Sequence, residues 1–341
     1  MELIVDNQRL ISFTKFEVVL AFASLSSSFS FNMRLDPNNT AHRQITEYGT
    51  YPIVKVSESG EKLVTGVIEN QRRKADNKKE LIAVGGRSIP GVLNDCNVPI
   101  ELYPLQTIGL SPLQIITRLC NYWGIRVINE SNEPTMTQRL DEQDFSETAS
   151  VGAIINELCS ERNVVASHNA NGDVVLVRPN TEKAPVLTLT DANNIPIEEI
   201  TANFNGNEIY SSTVVVSEAD DDKGIEGAQS SAINRLIKAK RPTVRVQKTG
   251  NEFDVDRAVK TAIDSQKRAF SLGIILDRWR INDVILRPGD IISVKNDEVG
   301  LHKPYNFFLE SCKFAKDAEK ETLELSCVLP EVYGGKRQSL I

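Results

Sequence analysis

The chain has 341 residues, with 39 lysines and arginines against 46 aspartates and glutamates, and a formal net charge of −7. That length is too great for one ordinary core and predicts about two to four compact domains. The acidic balance argues against nucleic-acid binding as the main role, and aromatics at 6% leave no stacking platform for single strands.

The five cysteines, Cys96, Cys120, Cys159, Cys312 and Cys327, are odd in number and none lies at CxxC spacing. This excludes a disulfide framework and a zinc knuckle and reads as reduced thiols. Near the N-terminus, the apolar run Phe16–Ala23 is interrupted by Glu17, and Glu2 and Asp6 stand where a signal peptide carries basic residues. It continues into Phe29, Phe31, Met33 and Leu35 at period two, a strand pattern. No apolar run approaches the length of about 18 residues that a membrane span requires.

Residues 1–97 read as all-β, with Ile53–Val56 and Leu63–Ile68 joined across Ser57–Gly60 as a hairpin. The polar stretch Glu69–Glu80 reads as a solvated hairpin tip, with Leu81–Val84 as the return strand. Residues 98–180 change character. Ser111-Pro112 is a helix start, with Leu113, Ile116, Cys120 and Trp123 at helical spacing and Gly124 as the stop. A second helix starts at Ser150. At an offset of 39 residues, Ser111 matches Ser150, Ile115 matches Ile154, Ile116 matches Ile155, Leu119 matches Leu158 and Cys120 matches Cys159. Two similar helix-then-strand modules are therefore expected side by side, with both cysteines as small inward hydrophobes.

Residues 181–341 return to β. Expected strands include Val186–Leu189, Ser212–Ser217, Thr243–Gln247, Ile291–Val294, Asn306–Lys313 and Thr322–Leu329, with Pro288-Gly289 at the centre of a turn. A polar loop is expected at 218–241 and a helix at 254–272, with Gly273 as its stop. The stripe Val255, Ala258, Val259, Ala262 and Ile263 would be that helix's contact face.

The chain offers little chemistry. His42, His168 and His302 are dispersed, and HExxH, GxSxG, Walker A and GxGxxG are absent from the sequence. Gly85-Gly86-Arg87 is too short to cradle a phosphate, and Asp220, Asp221 and Asp222 lack the spacing of an EF-hand loop. Arg235, Lys238, Lys240, Arg241, Arg245 and Lys248 form a basic stretch that reads as a solvated face, with contact to an acidic neighbour or to passing DNA as the functional alternative. We assign no catalytic, cofactor-binding or metal residues and no cofactor.

Several segments together resemble the baseplate hub proteins of Mu-like contractile phage tails, the late control protein D family. They are Gly66–Glu69, Val84–Ser88 and Leu93–Cys96; Ser111–Ile115 through Gly124-Ile125; Ser150–Pro179; and Leu286–Val294 with the terminal Leu323–Tyr333. Their order along the chain carries the resemblance; the segment Glu218–Arg241 and the first 50 residues do not match it.

The resemblance implies an α+β, mostly β chain, with two antiparallel β-barrel, tube-type domains (1–97 and 181–341) flanking the helix–strand modules at 98–180. The two barrels would superpose, and helix 254–272 would lie outside the second barrel or at a subunit boundary. The resemblance further implies a homotrimeric ring adapting the hexameric tail tube to the trimeric central spike. Its partners would be tube, spike, other baseplate proteins and the tape measure, with DNA only as passing cargo and no membrane insertion. It would reside in the virion baseplate and, during assembly, in the host cytoplasm. The alternatives are the same part in a tailocin or secretion machine, and a baseplate-borne cell-wall hydrolase. The last would need a carboxylate pair or zinc set that no motif supplies.

Overall fold

The computed structural model describes residues 2–10, 13–36, 38–74, 81–103, 107–140, 145–146, 148–190, 195, 197–217, 227–235, 237–247, 252–317, 319–336 and 338. It divides into two units. Unit 1 holds Met1–Pro179, Asp277–Trp279 and Ser311–Leu323; unit 2 holds Asn180–Leu276, Arg280–Glu310 and Glu324–Ile341.

Unit 1 opens on β1 (Glu2–Val5) and β2 (Gln8–Leu10). Asp6 and Asn7 between them both have positive φ, the backbone a two-residue hairpin of matching twist demands. β3 (Phe13–Ala21) and β4 (Ser28–Arg34) follow, and alternation buries Phe29, Phe31 and Met33 on one face of β4. After α1 (Thr40–Thr46) come β5 (Ile53–Glu58), β6 (Glu61–Lys74) and β7 (Leu81–Ser88). The strand order is β2-β1-β5-β6-β7-β4-β3, antiparallel throughout, and Ser311–Lys316 adds antiparallel to β3.

The rest of unit 1 is helical and mixed: α2 (Val92–Asp95), α3 (Pro112–Asn121), β8 (Val127–Asn129), α4 (Val151–Ser160), β9 (Val165–His168) and β10 (Val174–Val177). β10 lies between β8, to which it is parallel, and β9, to which it is antiparallel. Ile115, Ile116, Leu119 and Cys120 share one buried cluster with Ile154, Ile155, Leu158 and Cys159. The repeat extends to the helix ends. Ile125 donates its N–H to the Cys120 carbonyl and Val164 donates to that of Cys159, while Gly124 and Asn163 both take positive φ.

Unit 2 contains β11 (Leu187–Thr190), β12 (Ile197–Phe204), β13 (Ser212–Ser217), β14 (Gln229–Ile233), β15 (Pro242–Gln247) and α5 (Glu252–Gln266). Then come β16 (Phe270–Leu276), β17 (Arg280–Ile281), β18 (Val284–Ile285), β19 (Ile291–Asn296), β20 (Leu301–Lys316) and β21 (Glu321–Val328). The main path runs β12-β16-β21-β20, continued by β19 and then β11.

The two units share one strand order, with the first strand antiparallel to the fourth in unit 1 and parallel to it in unit 2. Counting six strands in chain order, β1, β3, β4, β5, β6, β7 in unit 1 and β11, β12, β16, β19, β20, β21 in unit 2, both sheets read second, third, sixth, fifth, fourth, first. What lies between the strands differs. Unit 1 places α1 between the third and fourth; unit 2 places the β17–β18 hairpin there and inserts β13–β15 with α5 between the second and third.

The chain is thus mostly β in an α+β fold, and several particulars differ from the sequence reading. The walls of unit 2 are not wholly antiparallel: β11 runs parallel to β19 and β15 parallel to β13. The helix expected at 254–272 ends at Gln266, because Phe270, Leu272, Ile274 and Leu276 alternate inward as a strand. Gly273 sits within that strand opposite Thr201 rather than stopping a helix. The loop expected at 218–241 contains β14, whose Ala232 packs under α5. The α5 residues Val255 and Val259 cover Val215 of that inserted three-stranded sheet, not the outside of a barrel wall. Among the described residues no helix is long and apolar enough to cross a membrane.

Candidate assembly site

The motif residues of unit 1 converge on a packed node. Gly66 on β6 and Gly86 on β7 are glycine because no Cβ fits. One added to Gly86 would lie 2.0 Å from the Val67 carbonyl oxygen and 2.6 Å from the Phe29 ring. One added to Gly66 would lie 2.1 Å from the Arg87 carbonyl oxygen. Next to them Arg87 donates twice to Glu69, at 2.8 and 3.0 Å, and also reaches Asp95. The hydrogen bonds it donates to Glu69 and Asp95 hold the guanidinium more firmly protonated still. Ser88 N–H donates to the Ser27 carbonyl at 2.8 Å, and Ser27 N–H returns to the Ser88 hydroxyl at 3.0 Å.

Ser27 continues to His168. The imidazole Nδ1 lies 2.8 Å from the Ser24 carbonyl oxygen, which can only accept, so Nδ1 carries the proton and Nε2 accepts from the Ser27 hydroxyl at 2.7 Å. Burial pushes the His168 pKa below its ordinary value. A serine–histidine pair invites a hydrolase reading, but Ser27 is 2% exposed and a backbone carbonyl, not a carboxylate, orients the ring. The pair ties β9 to the β3–β4 turn. In the twin modules, burial pushes both the Cys120 and Cys159 thiols up to about 12, so neither is a nucleophile.

Unit 2 has its own ionic node. Arg268 contacts Glu310 at 2.6 Å, and Tyr333 donates to the same carboxylate at 2.7 Å. Burial first, then the Glu310 charge, raises the Tyr333 pKa.

The surface features that remain are strand edges and exposed apolar groups. A cavity of about 250 Å³ in unit 1 is lined by Glu47, Tyr48, Tyr51, Pro52, Glu69 and Asn70. Tyr48 and Tyr51 are largely exposed, and Tyr51 holds a φ of 47°, a strained backbone for a bulky residue. Sequence reasoning missed this place, whose sole trace was the aromatic pair in Tyr48-Gly-Thr-Tyr51. Within the basic stretch, Arg241 is spent on the Asn207 and Ile209 carbonyls and the Tyr210 ring, whereas Arg235, Lys238, Lys240 and Arg245 are exposed. Asp220, Asp221, Asp222 and Lys248 lie outside the described residues. Among the described residues no three His, Cys, Asp or Glu side chains converge as metal ligands.

A doubled six-strand order and a twin-module domain set the frame, and the polar nodes clamp strands rather than face a cleft. Residues 90–178 match the family described as baseplate hub protein gp44-like, second domain. The fold matches the 43 kDa tail protein of prophage MuSo2 from Shewanella oneidensis at a TM-score of 0.81 and 17% identity, covering 98% of this chain and 99% of that one. It matches the tail protein from Neisseria meningitidis MC58 at 0.82 and 18%, covering 97% of each. The Escherichia coli c3393 protein, a component of the type VI secretion system with structural similarity to T4 tail proteins gp27 and gp5, matches at 0.61 and 10%, covering 100% of this chain and 80% of that one. No curated protein matches by sequence. These matches are described as baseplate hub, tail and type VI secretion proteins.

Proposed function

We propose that the chain is a structural subunit of a contractile-tail baseplate hub, three copies of which form a ring that adapts a hexameric tail tube to a trimeric spike. The observation that carries this reading is the doubled topology. A six-fold neighbour needs six similar wall segments, and three chains supply them if each brings two. The gp44-like second domain and the likeness to tail proteins over nearly the whole chain support it. In this reading the chain's partners are its own copies, the tube, the spike, other baseplate proteins and the tape measure. DNA passes through as cargo, and the protein resides in the virion baseplate after assembly in the host cytoplasm. Residues 1–97 and 181–341 serve as the tube-type domains and 98–180 as the module domain between them. The likeness to a type VI secretion component favours, as a second reading, the same role in a non-phage injection machine.

Light scattering and electron microscopy of the purified protein, alone and with its tube and spike proteins, test the proposal. A three-copy ring whose projections show six similar segments is expected. A stable dimer, or a monomer that joins neither partner, would overturn it.

A further inference from the structure

The two copies of the topology differ at one edge. In unit 1 the outer edge of β3 is filled: Ser311 pairs with Ala21 and Lys316 with Phe16, antiparallel, and Lys313 lies 3.5 Å from Glu17. In unit 2 the counterpart of β3 is β12, which among the described residues pairs only with β16.

The same correspondence says what fits that edge. The filling segment starts on β20 three residues beyond Phe308, which pairs with Ile291, the first residue of β19. β6 is the counterpart of β20, and Val67 on it pairs with Ile53, the first residue of β5. Three residues beyond Val67 is Asn70, so Asn70–Lys74 is the matching segment. It pairs with β7 on one side and, among the described residues, with no strand on the other.

Charge agrees with the count. β12 exposes Glu198 and Glu199, and the end of β6 exposes Arg72, Arg73 and Lys74. This repeats, at larger charge, the Lys313–Glu17 contact of the filled edge. The cavity at Tyr48 and Tyr51 opens beside Asn70, and Phe204, 56% exposed, ends β12. Antiparallel pairing brings Phe204 to the cavity and the two glutamates toward the cationic end of β6.

We propose that Asn70–Lys74 of one copy adds as an antiparallel strand to the open edge of β12 in a second copy of this chain. The inference rests on the ring reading above and deepens it by naming the joint. Strand addition at an exposed edge gives affinity through main-chain hydrogen bonds, while side-chain charges set register and partner. Because the contact joins two different surfaces, it is heterologous, the kind of contact that builds a ring where its rotation closes.

The test uses the full chain in two isotopic masses, assembled with tube and spike proteins and coupled by a zero-length carbodiimide. A link between Lys74 of one mass and Glu198 or Glu199 of the other is expected. E198K/E199K and R72E/K74E should each lower the ring fraction at least tenfold, and both changes in one chain should restore it. Unfolding midpoints report folding separately, since all four side chains are exposed. A ring that forms and persists in both charge variants, or links confined to single copies, would overturn the joint while leaving the ring intact. A wild-type chain that forms no ring with its partners present would overturn the ring reading itself, and the joint with it.

Discussion

Glu69 and Glu310 occupy the same place in two copies of one topology. Each stands two residues beyond the fifth-strand residue that pairs with the start of the fourth strand, Val67 opposite Ile53 and Phe308 opposite Ile291. Each carboxylate is held by an arginine, Arg87 in the first case and Arg268 in the second. The arginines come from different positions, β7 and the turn before β16, so the shared feature is the anchored carboxylate rather than a copied pair.

Removing either carboxylate charge takes a charged partner from its arginine, although Arg87 keeps Asp95 and Arg268 keeps the Tyr333 hydroxyl. Glu69→Gln and Glu310→Gln should each cost about 1–3 kcal/mol, the range for losing a charged hydrogen-bond partner. Urea unfolding checks the cost. Glu310→Gln should also bring the Tyr333 phenol down toward its ordinary pKa, because the Glu310 charge is one of the causes holding it up. An alkaline absorbance titration reads that shift, and the Glu69 variant should leave it unmoved.

Gly86→Ala should destabilise by at least the roughly 1–3 kcal/mol typical of overpacking. The added methyl would meet a backbone carbonyl at 2.0 Å as well as the Phe29 ring at 2.6 Å. Trimming the ring with Phe29→Leu should therefore give no rescue, since the Val67 carbonyl remains. If the double variant recovered wild-type stability in urea, the ring alone would have set the glycine requirement.

In the twin modules, Leu119→Ala and Leu158→Ala should each cost about 2–5 kcal/mol as buried leucines. Cys120→Ala and Cys159→Ala should cost less, since each removes a smaller group. With pKa values pushed up to about 12 by burial, both thiols stay protonated at neutral pH. They should react with a thiol reagent only on unfolding, which a labelling time course with and without denaturant shows.

The modules were the most legible part of the sequence, because helix capping is local. Ser111 and Ser150 each accept an N–H three residues on, and serine followed by helical spacing announces that. β4 was equally plain, its period two surviving into Phe29, Phe31 and Met33. β12 was invisible: Ile-Glu-Glu-Ile-Thr-Ala-Asn-Phe does not alternate, because an edge strand with half-exposed faces has no reason to. β16 was absorbed into the preceding helix, since Lys267–Ala269 turns the chain without proline or glycine. The open edges of β12 and β6 could not be read locally, for an edge exists only relative to strands far away in the chain. The expected kinship of the two β regions came from the family resemblance, and the parallel placement of β11 on β19 departs from it.

His168 makes stability depend on pH near the ordinary imidazole range. Its imidazole is neutral in the fold, with Nδ1–H donating to Ser24 and Nε2 accepting from Ser27, and burial lowers its pKa below the ordinary 6.5. Well above pH 6.5 both folded and unfolded chains carry this ring neutral, and it contributes no slope. As pH falls below that value the unfolded chain takes up a proton that the folded chain refuses. The unfolded state then binds more protons, so stability must drop with falling pH, by up to about 1.4 kcal/mol per pH unit, until the folded pKa is reached. Urea unfolding at pH 7.5, 6.5, 6.0 and 5.5 should show a flat region and then a decline. His168→Gln, which keeps a donor and an acceptor but cannot titrate, should be less stable than wild type at pH 7.5 and should lose less on acidification. Parallel declines in the two proteins would mean that the Ser27–His168–Ser24 bridge opens before the ring is protonated, and that β9 is held to the β3–β4 turn by something else.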